Sequence, residues 1–139
     1  MVSRGLEALA AVPLFSDLSR RELRELLAVS EEYEYPEGAT VAKEGARGDA
    51  FFVILEGQAR VVRRGRTVDT LWPGDFFGEI SLLDGGPRTA SVIAATPLRC
   101  LLLLRKEFAE VLGTDAAIAA KVLREMGSRL RRMDRPLKG

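Results

Sequence analysis

Between Glu31 and Leu104 the chain breaks into short runs of β-forming residues, each closed by a turn signal. EEYEY ends at Pro36-Glu37-Gly38, ATVAK at Glu44-Gly45, AFFVILE at Gly57, QARVVR at Gly65 and TVDTLW at Pro73-Gly74-Asp75. TASVIAA and LRCLLLL follow, divided by Thr96-Pro97. Many short strands at near-regular spacing predict an antiparallel sandwich or barrel.

Helical periodicity flanks this β region. Ser19, with Glu22 three residues on, forms a capping-box pattern, and Leu23, Leu26 and Leu27 then recur at helical spacing. Leu6 and Leu9 suggest a shorter helix ending near Pro13. After Arg105, KEFAEVL reads as a helix stopped by Gly113. Thr114 can cap a last helix reaching about Arg132, with Ile118, Val122, Met126, Leu130 and Met133 on one side. The expected organisation is one mainly β domain over 1–139, with N-terminal helices in 1–30, the β region in 31–104 and two C-terminal helices in 105–133.

Composition narrows the chemistry. The 139 residues include no histidine, which removes histidine acid–base catalysis, histidine triads and most zinc or iron sites. Net charge is +1, so no global attraction to nucleic acid or membrane is expected. The one cysteine, Cys100, lies in an apolar run and reads as a core residue of a protein in a reducing compartment. Nothing resembles a signal peptide, and CLLLLR is too short to span a bilayer, so a cytoplasmic location is expected. Arg47-Gly48-Asp49 reads as turn chemistry rather than an adhesion motif. Trp72, before Pro73-Gly74, is expected to pack. Lys121 to Lys138 holds seven basic and two acidic residues, a solvated face by its pattern.

One long interruption remains, GDFFGEISLLDGGPRTASV, from Gly74 to Val92. A short helix starting at Gly78 or Glu79 would offer unpaired N–H groups to an anion. Glu79 is a natural acceptor for sugar hydroxyls, and Arg88 supplies a fork of donors for two phosphate oxygens. Gly85-Gly86-Pro87 can turn Arg88 back toward that helix start, and Thr89 and Ala90 add a hydroxyl and backbone donors. The residues fit a phosphate-and-ribose cradle; they equally fit a Glu79–Arg88 ion pair closing a loop.

FGEISLLDGGPRTASV resembles the phosphate-binding cassette of cyclic nucleotide-binding domains, as found in catabolite activator proteins, protein kinase regulatory subunits and cyclic nucleotide-gated channels. YPEGATVAKEGARGDAFFVILEGQARV and LFSDLSRRELRELL resemble the segments upstream, so the likeness covers about Leu14 to Leu112. It implies an antiparallel β-roll or jelly-roll barrel. It also implies that Gly78 and Ser81 contact phosphate or ribose through the backbone, that Glu79 accepts from the ribose 2′-hydroxyl, and that Arg88 pairs with the cyclic phosphate. Thr89 and Ala90 complete the phosphate contacts. Ser81 departs from a frequent alanine.

The resemblance implies a regulatory module without catalysis or cofactor, its ligand cAMP in preference to cGMP. It places the last helix, Asp115 to about Met133, where the family has a lid over the base; Gly113 reads as its hinge, and a helix that is no lid would meet a protein partner or second copy. A helix-turn-helix unit finds no room before Gly139, so no nucleic-acid binding by this chain alone is expected. A fragment of a larger transcription factor or channel, and a relative recruited to another effector, are the alternatives. A cupin-type enzyme would need the missing histidines.

Overall fold

A computed structural model describes residues 4–78 and 85–134, with side chains of the last helix through Ser128 and at Arg131. Helix α1 spans Arg4–Ala10, a 3₁₀ turn Pro13–Phe15 and α2 Arg20–Ala28. Eight strands follow: β1 Glu31–Tyr35, β2 Thr40–Ala42, β3 Ala50–Glu56, β4 Ala59–Arg63, β5 Arg66–Leu71, β6 Phe76–Phe77, β7 Ser91–Ala94 and β8 Leu98–Leu104. Helices α3 (Arg105–Thr114) and α4 (Ala116–Asp134) close the described chain. The strands form two four-stranded antiparallel sheets, ordered β1-β8-β3-β6 and β2-β7-β4-β5, so the expected mainly β roll with flanking helices is the observed fold. The two-residue β6 was not foreseen; it pairs Phe77 with Phe52 and Phe76 with Val53.

Strands β3 and β8 read as near-continuous apolar runs because both their faces are buried. Phe51, Val53, Leu55, Leu101 and Leu103 point to the helices and join Leu9, Phe15, Leu26, Phe108 and Ile118 in one core. Ala50, Phe52, Ile54, Cys100 and Leu102 point the other way, into a second core shared with Ala59, Leu71 and Val92 of the opposite sheet. Phe15 ties the helical core together, its ring 5.9 Å from Phe51 and 6.1 Å from Phe108. Cys100 lies fully inside the second core, where burial pushes its thiol up to about 12.

The capping box forms as the sequence indicates. Ser19 Oγ accepts from the Glu22 N–H at 3.2 Å, and Glu22 Oε1 accepts from the Ser19 N–H at 2.8 Å. Glu22 is only 2% exposed, and the same oxygen accepts a hydrogen bond from Lys121 Nζ of α4 at 2.7 Å. A local cap thus becomes a clamp between two helices 99 residues apart in sequence.

Three expectations are corrected. Thr114 does not cap α4; it is the last residue of α3, its hydroxyl donating back to the Glu110 carbonyl at 3.1 Å. The cap is Asp115, whose Oδ1 accepts from the N–H groups of Ala117 and Ile118 at 3.1 and 3.2 Å. Gly113 lies inside α3, so the helix break is at Asp115 and not at a glycine hinge. Trp72 does not pack: it is 53% exposed. Its turn closes through the backbone, with the Trp72 N–H donating to Asp75 Oδ2 and the Asp75 N–H to the Trp72 carbonyl, and has no need of the indole.

The last helix is also not a lid along its whole length. Ile118 and Val122 are 0% and 1% exposed in the helical core, each burial worth about 1.5–3 kcal/mol. Lifting that half would cost more than the ~1–3 kcal/mol that covering one base returns. Met126 packs at the edge of the core; the side chains of Leu130 and Met133 lie outside the described residues.

The Lys121 hydrogen bond, followed by that of the Ser19 backbone, holds the Glu22 carboxyl below its ordinary value against the opposing effect of burial. A lowered folded-state value contributes stability that is present above the unfolded-state value and lost as pH falls through the folded one. Lys121→Met is therefore expected to lower the unfolding free energy by about 2 kcal/mol at pH 7, the scale for unpairing a buried polar group. In urea titrations the gap from wild type should close as Glu22 protonates. A gap independent of pH would place the effect in packing instead.

Candidate ligand-binding site

Two loop arms are stapled together at one end of the roll. The Arg88 N–H donates to the Ala46 carbonyl at 2.8 Å, the Gly45 N–H to the Arg88 carbonyl at 2.8 Å and the Gly48 N–H to the Gly86 carbonyl at 2.9 Å. An isolated antiparallel bridge between Arg47 and Pro87 completes the pairing. Arg47-Gly48-Asp49 is thus turn chemistry, as read, and it also forms half of the staple that aims Arg88.

The Arg88 guanidinium is half-buried. Nη2 donates to the Ala50 carbonyl at 2.6 Å, and Cζ lies 5.6 Å from the centroid of the Phe52 ring. Phe52 is itself stacked on Phe77, with centroids 4.5 Å apart and planes 7° from parallel. Burial draws the guanidinium below its ordinary value, and nearby Asp49 partly restores it. Among the described residues no carboxylate lies within 4.0 Å of Arg88. A partly desolvated cation held by a neutral carbonyl and an aromatic face can pair with an anion, either a ligand's or the Glu79 carboxylate, which lies outside the described residues.

Gly78, directly after β6, has φ +89°. A Cβ there would strike the Arg88 guanidinium and lie 2.7 Å from the Ala50 carbonyl oxygen. Only glycine lets the strand end this close to the arginine.

Gly78, Arg88, Thr89 and Ala90 all border one cavity of about 490 Å³. Ala42, Val61, Leu71, Phe77 and Val92 supply its apolar wall. A cationic end beside an apolar wall suits a ligand that joins an anion to a flat ring. Glu79 and Ser81, and the helix expected near Gly78, lie outside the described residues.

The sequence reading missed Arg63, which also borders the cavity. Its Nε donates to the Thr89 carbonyl at 3.2 Å. An arginine closing QARVVR looks like a solvent-face charge; the one clue was its place two residues after Val61. The reading took Asp49 for turn chemistry only and missed Ala50 and Phe52, because a strand's pattern does not say what its end supports.

Comparison with known proteins agrees with this architecture. Residues 32–115 match the family model described as the cyclic nucleotide-binding domain. The chain is 39% identical over 107 residues to a cAMP-dependent protein kinase regulatory subunit of Aspergillus fumigatus, an alignment covering 76% of this chain and 26% of that one. It therefore spans about a quarter of the length of that relative. The N-terminal domain of a transcriptional regulator from Streptomyces coelicolor A3(2) superposes with a TM-score of 0.86 at 32% identity, over 91% of this chain and 94% of that one. The Thermus thermophilus catabolite activator protein does so with a TM-score of 0.71 at 32% identity, over 91% and 62%.

The Gly78 geometry yields a stability comparison with a built-in control. Gly74 has a similar φ of +94°, but a Cβ there meets nothing within 4 Å. Gly74→Ala is expected to cost only the left-handed backbone strain, about 1–2 kcal/mol. Gly78→Ala should cost at least about 1 kcal/mol more, because Arg88 and Ala50 must also give way. Chemical denaturation of both variants measures the difference, and equal losses would mean that Arg88 moves aside freely.

Proposed function

The chain belongs to the cyclic nucleotide-binding domain family, and from that premise we propose that it is a sensor binding one cyclic purine nucleotide, cAMP before cGMP, without catalysing a reaction. The observation that carries the reading is Arg88, half-buried beside an apolar-walled cavity with no described carboxylate to neutralise it. The cyclic phosphate pairs with Arg88, and the purine lies along the wall of Val61, Leu71 and Val92. Gly78 keeps the strand end free of a Cβ so that Arg88 reaches the phosphate. Glu79 accepts from the ribose 2′-hydroxyl, while Ser81, Thr89 and Ala90 complete the phosphate contacts. The preference for cAMP rests on the likeness to a cAMP-dependent kinase regulatory subunit.

Output follows from differential contact. A phosphate competes for the guanidinium that holds the Ala50 carbonyl and the Phe52 face, both on β3. The other face of β3 carries Phe51 and Val53, packed in the helical core. Binding thus biases the strand on which the helices rest. The outer side of α4, where Leu123 is 68% exposed, is the surface proposed to meet a partner or a second copy.

Calorimetric titration of the whole chain tests the reading. Arg88→Ala should weaken cAMP by about 2–5 kcal/mol, the cost of truncating one partner of a buried charge pair, or roughly thirtyfold to several thousandfold. A change under about threefold would leave Arg88 a structural residue. Wild type should prefer cAMP to its 2′-deoxy analogue, and Glu79→Ala should erase that preference, because a site built to bond a hydroxyl rejects ligands lacking it. If the preference survives, the hydroxyl belongs to another group. Mass spectrometry of ligand released from purified protein separates a cyclic nucleotide from a different effector.

A further inference from the structure

We propose that Arg63 is a specificity-determining residue of the cavity, its guanidinium edge reading the adjacent O6 and N7 acceptors of a 6-oxopurine. The proposal rests on the reading that the cavity holds a cyclic nucleotide. Arg63 ends β4 and borders the cavity together with Val61, two residues before it on the same strand. It is exposed, at the rim, whereas Arg88 is half-buried.

Its side chain is pinned but not used up. Nε donates to the Thr89 carbonyl at 3.2 Å, which holds the guanidinium beside the start of the Thr89–Ala90 segment. Among the described residues neither Nη group has a hydrogen-bond partner, and no carboxylate lies within 4.0 Å. Arg60 on the same strand differs, its Nη1 donating to Thr67 Oγ1 at 2.7 Å. Arg63 therefore keeps a pair of donors at the cavity rim.

A cyclic nucleotide carries one negative charge. Arg88 already holds the deep end, against Ala50 and Phe52 and beside Gly78. With the anion there and the ring on the apolar wall of Val61, Leu71 and Val92, the group left for the rim is an edge of the base. An arginine fork matches two neighbouring acceptors, which guanine and hypoxanthine present at O6 and N7. Adenine replaces O6 with an amine, a donor facing donors. Arg63 thus favours 6-oxopurines and narrows the preference for cAMP without requiring that it reverse.

The test is calorimetric titration of wild type, Arg63→Leu and Arg63→Lys with cAMP, cGMP and cIMP. The inosine nucleotide keeps O6 and N7 but lacks the 2-amino group, so it separates Arg63 from any contact with that amine. In Arg63→Leu the affinity ratios of cGMP to cAMP and of cIMP to cAMP should both fall about tenfold, the discrimination of one bidentate pair. Arg63→Lys should recover only part of the loss, since an ammonium is a point charge and not a fork. Unchanged ratios with all three ligands weakened alike would make Arg63 a phosphate cation and overturn the inference. Unchanged ratios with unchanged affinities would make it a solvated surface charge and also overturn it. A fall for cGMP alone would assign the effect to the 2-amino side and do the same. Failure of all three nucleotides to bind wild type would instead overturn the cyclic nucleotide reading, and this inference with it.

Discussion

Strand β3 has no free face, and the rest of the molecule is arranged around that fact. Phe51, Val53 and Leu55 are committed to the helices, and Ala50, Phe52 and Ile54 to the space between the sheets. Its neighbour β8 is equally committed, so the two central strands form a rigid septum between two cores. The first residues of the septum on the inner side, Ala50 and Phe52, are the ones that hold the Arg88 guanidinium. The site is therefore built on a strand buried on both faces, and its other surface is the floor on which the helices sit.

Position alone would not make Arg88 useful. A guanidinium on a floppy loop would spread over many rotamers and bind an anion weakly, since immobilising it costs up to about 2 kcal/mol of side-chain entropy. Here the cost is met during folding. Backbone hydrogen bonds between residues 45–48 and 86–88 fix the arm, and the carbonyl and ring of β3 fix the head. The absence of a Cβ at Gly78 leaves the space that the head occupies. Burial makes the cation dearer to keep, and Asp49 offsets part of that without forming a salt bridge within 4.0 Å.

Much of this was legible in the sequence, and the reasons differ by element. Strands bounded by glycine and proline were readable because turns demand special residues; EEYEY and AFFVILE coincide with β1 and β3. The capping box was readable because both its bonds are local. Cys100 was readable from its apolar run. What escaped depends on long-range contact or on a contest between neighbours. Thr114 and Asp115 are both good caps, and only the geometry of the α3 end decides that the hydroxyl turns backward. The strand of Phe76 and Phe77 is too short to have a period and exists because β3 offers it an edge. Arg63 carries only its place two residues after Val61, and Asp49 only its turn. For Glu79 and Ser81 the reading rests on the cassette resemblance, since they lie outside the described residues.

The anchoring of α4 changes where a conformational signal can travel. A helix that swings as a whole about Gly113 would have to withdraw Ile118 and Val122 from the core and strip Lys121 from buried Glu22. The alternative route starts at Arg105, the first residue of α3. Its N–H donates to the Asp49 carbonyl at 2.8 Å. Its guanidinium sits where a Cβ on Gly85 would come within 3.1 Å. Asp49 belongs to one arm of the staple around Arg88 and Gly85 adjoins the other, so both arms lie beside the start of α3. Three residues on, Phe108 is packed against Phe15. The staple around Arg88 is thus joined to the helical core through Asp49, Arg105 and Phe108.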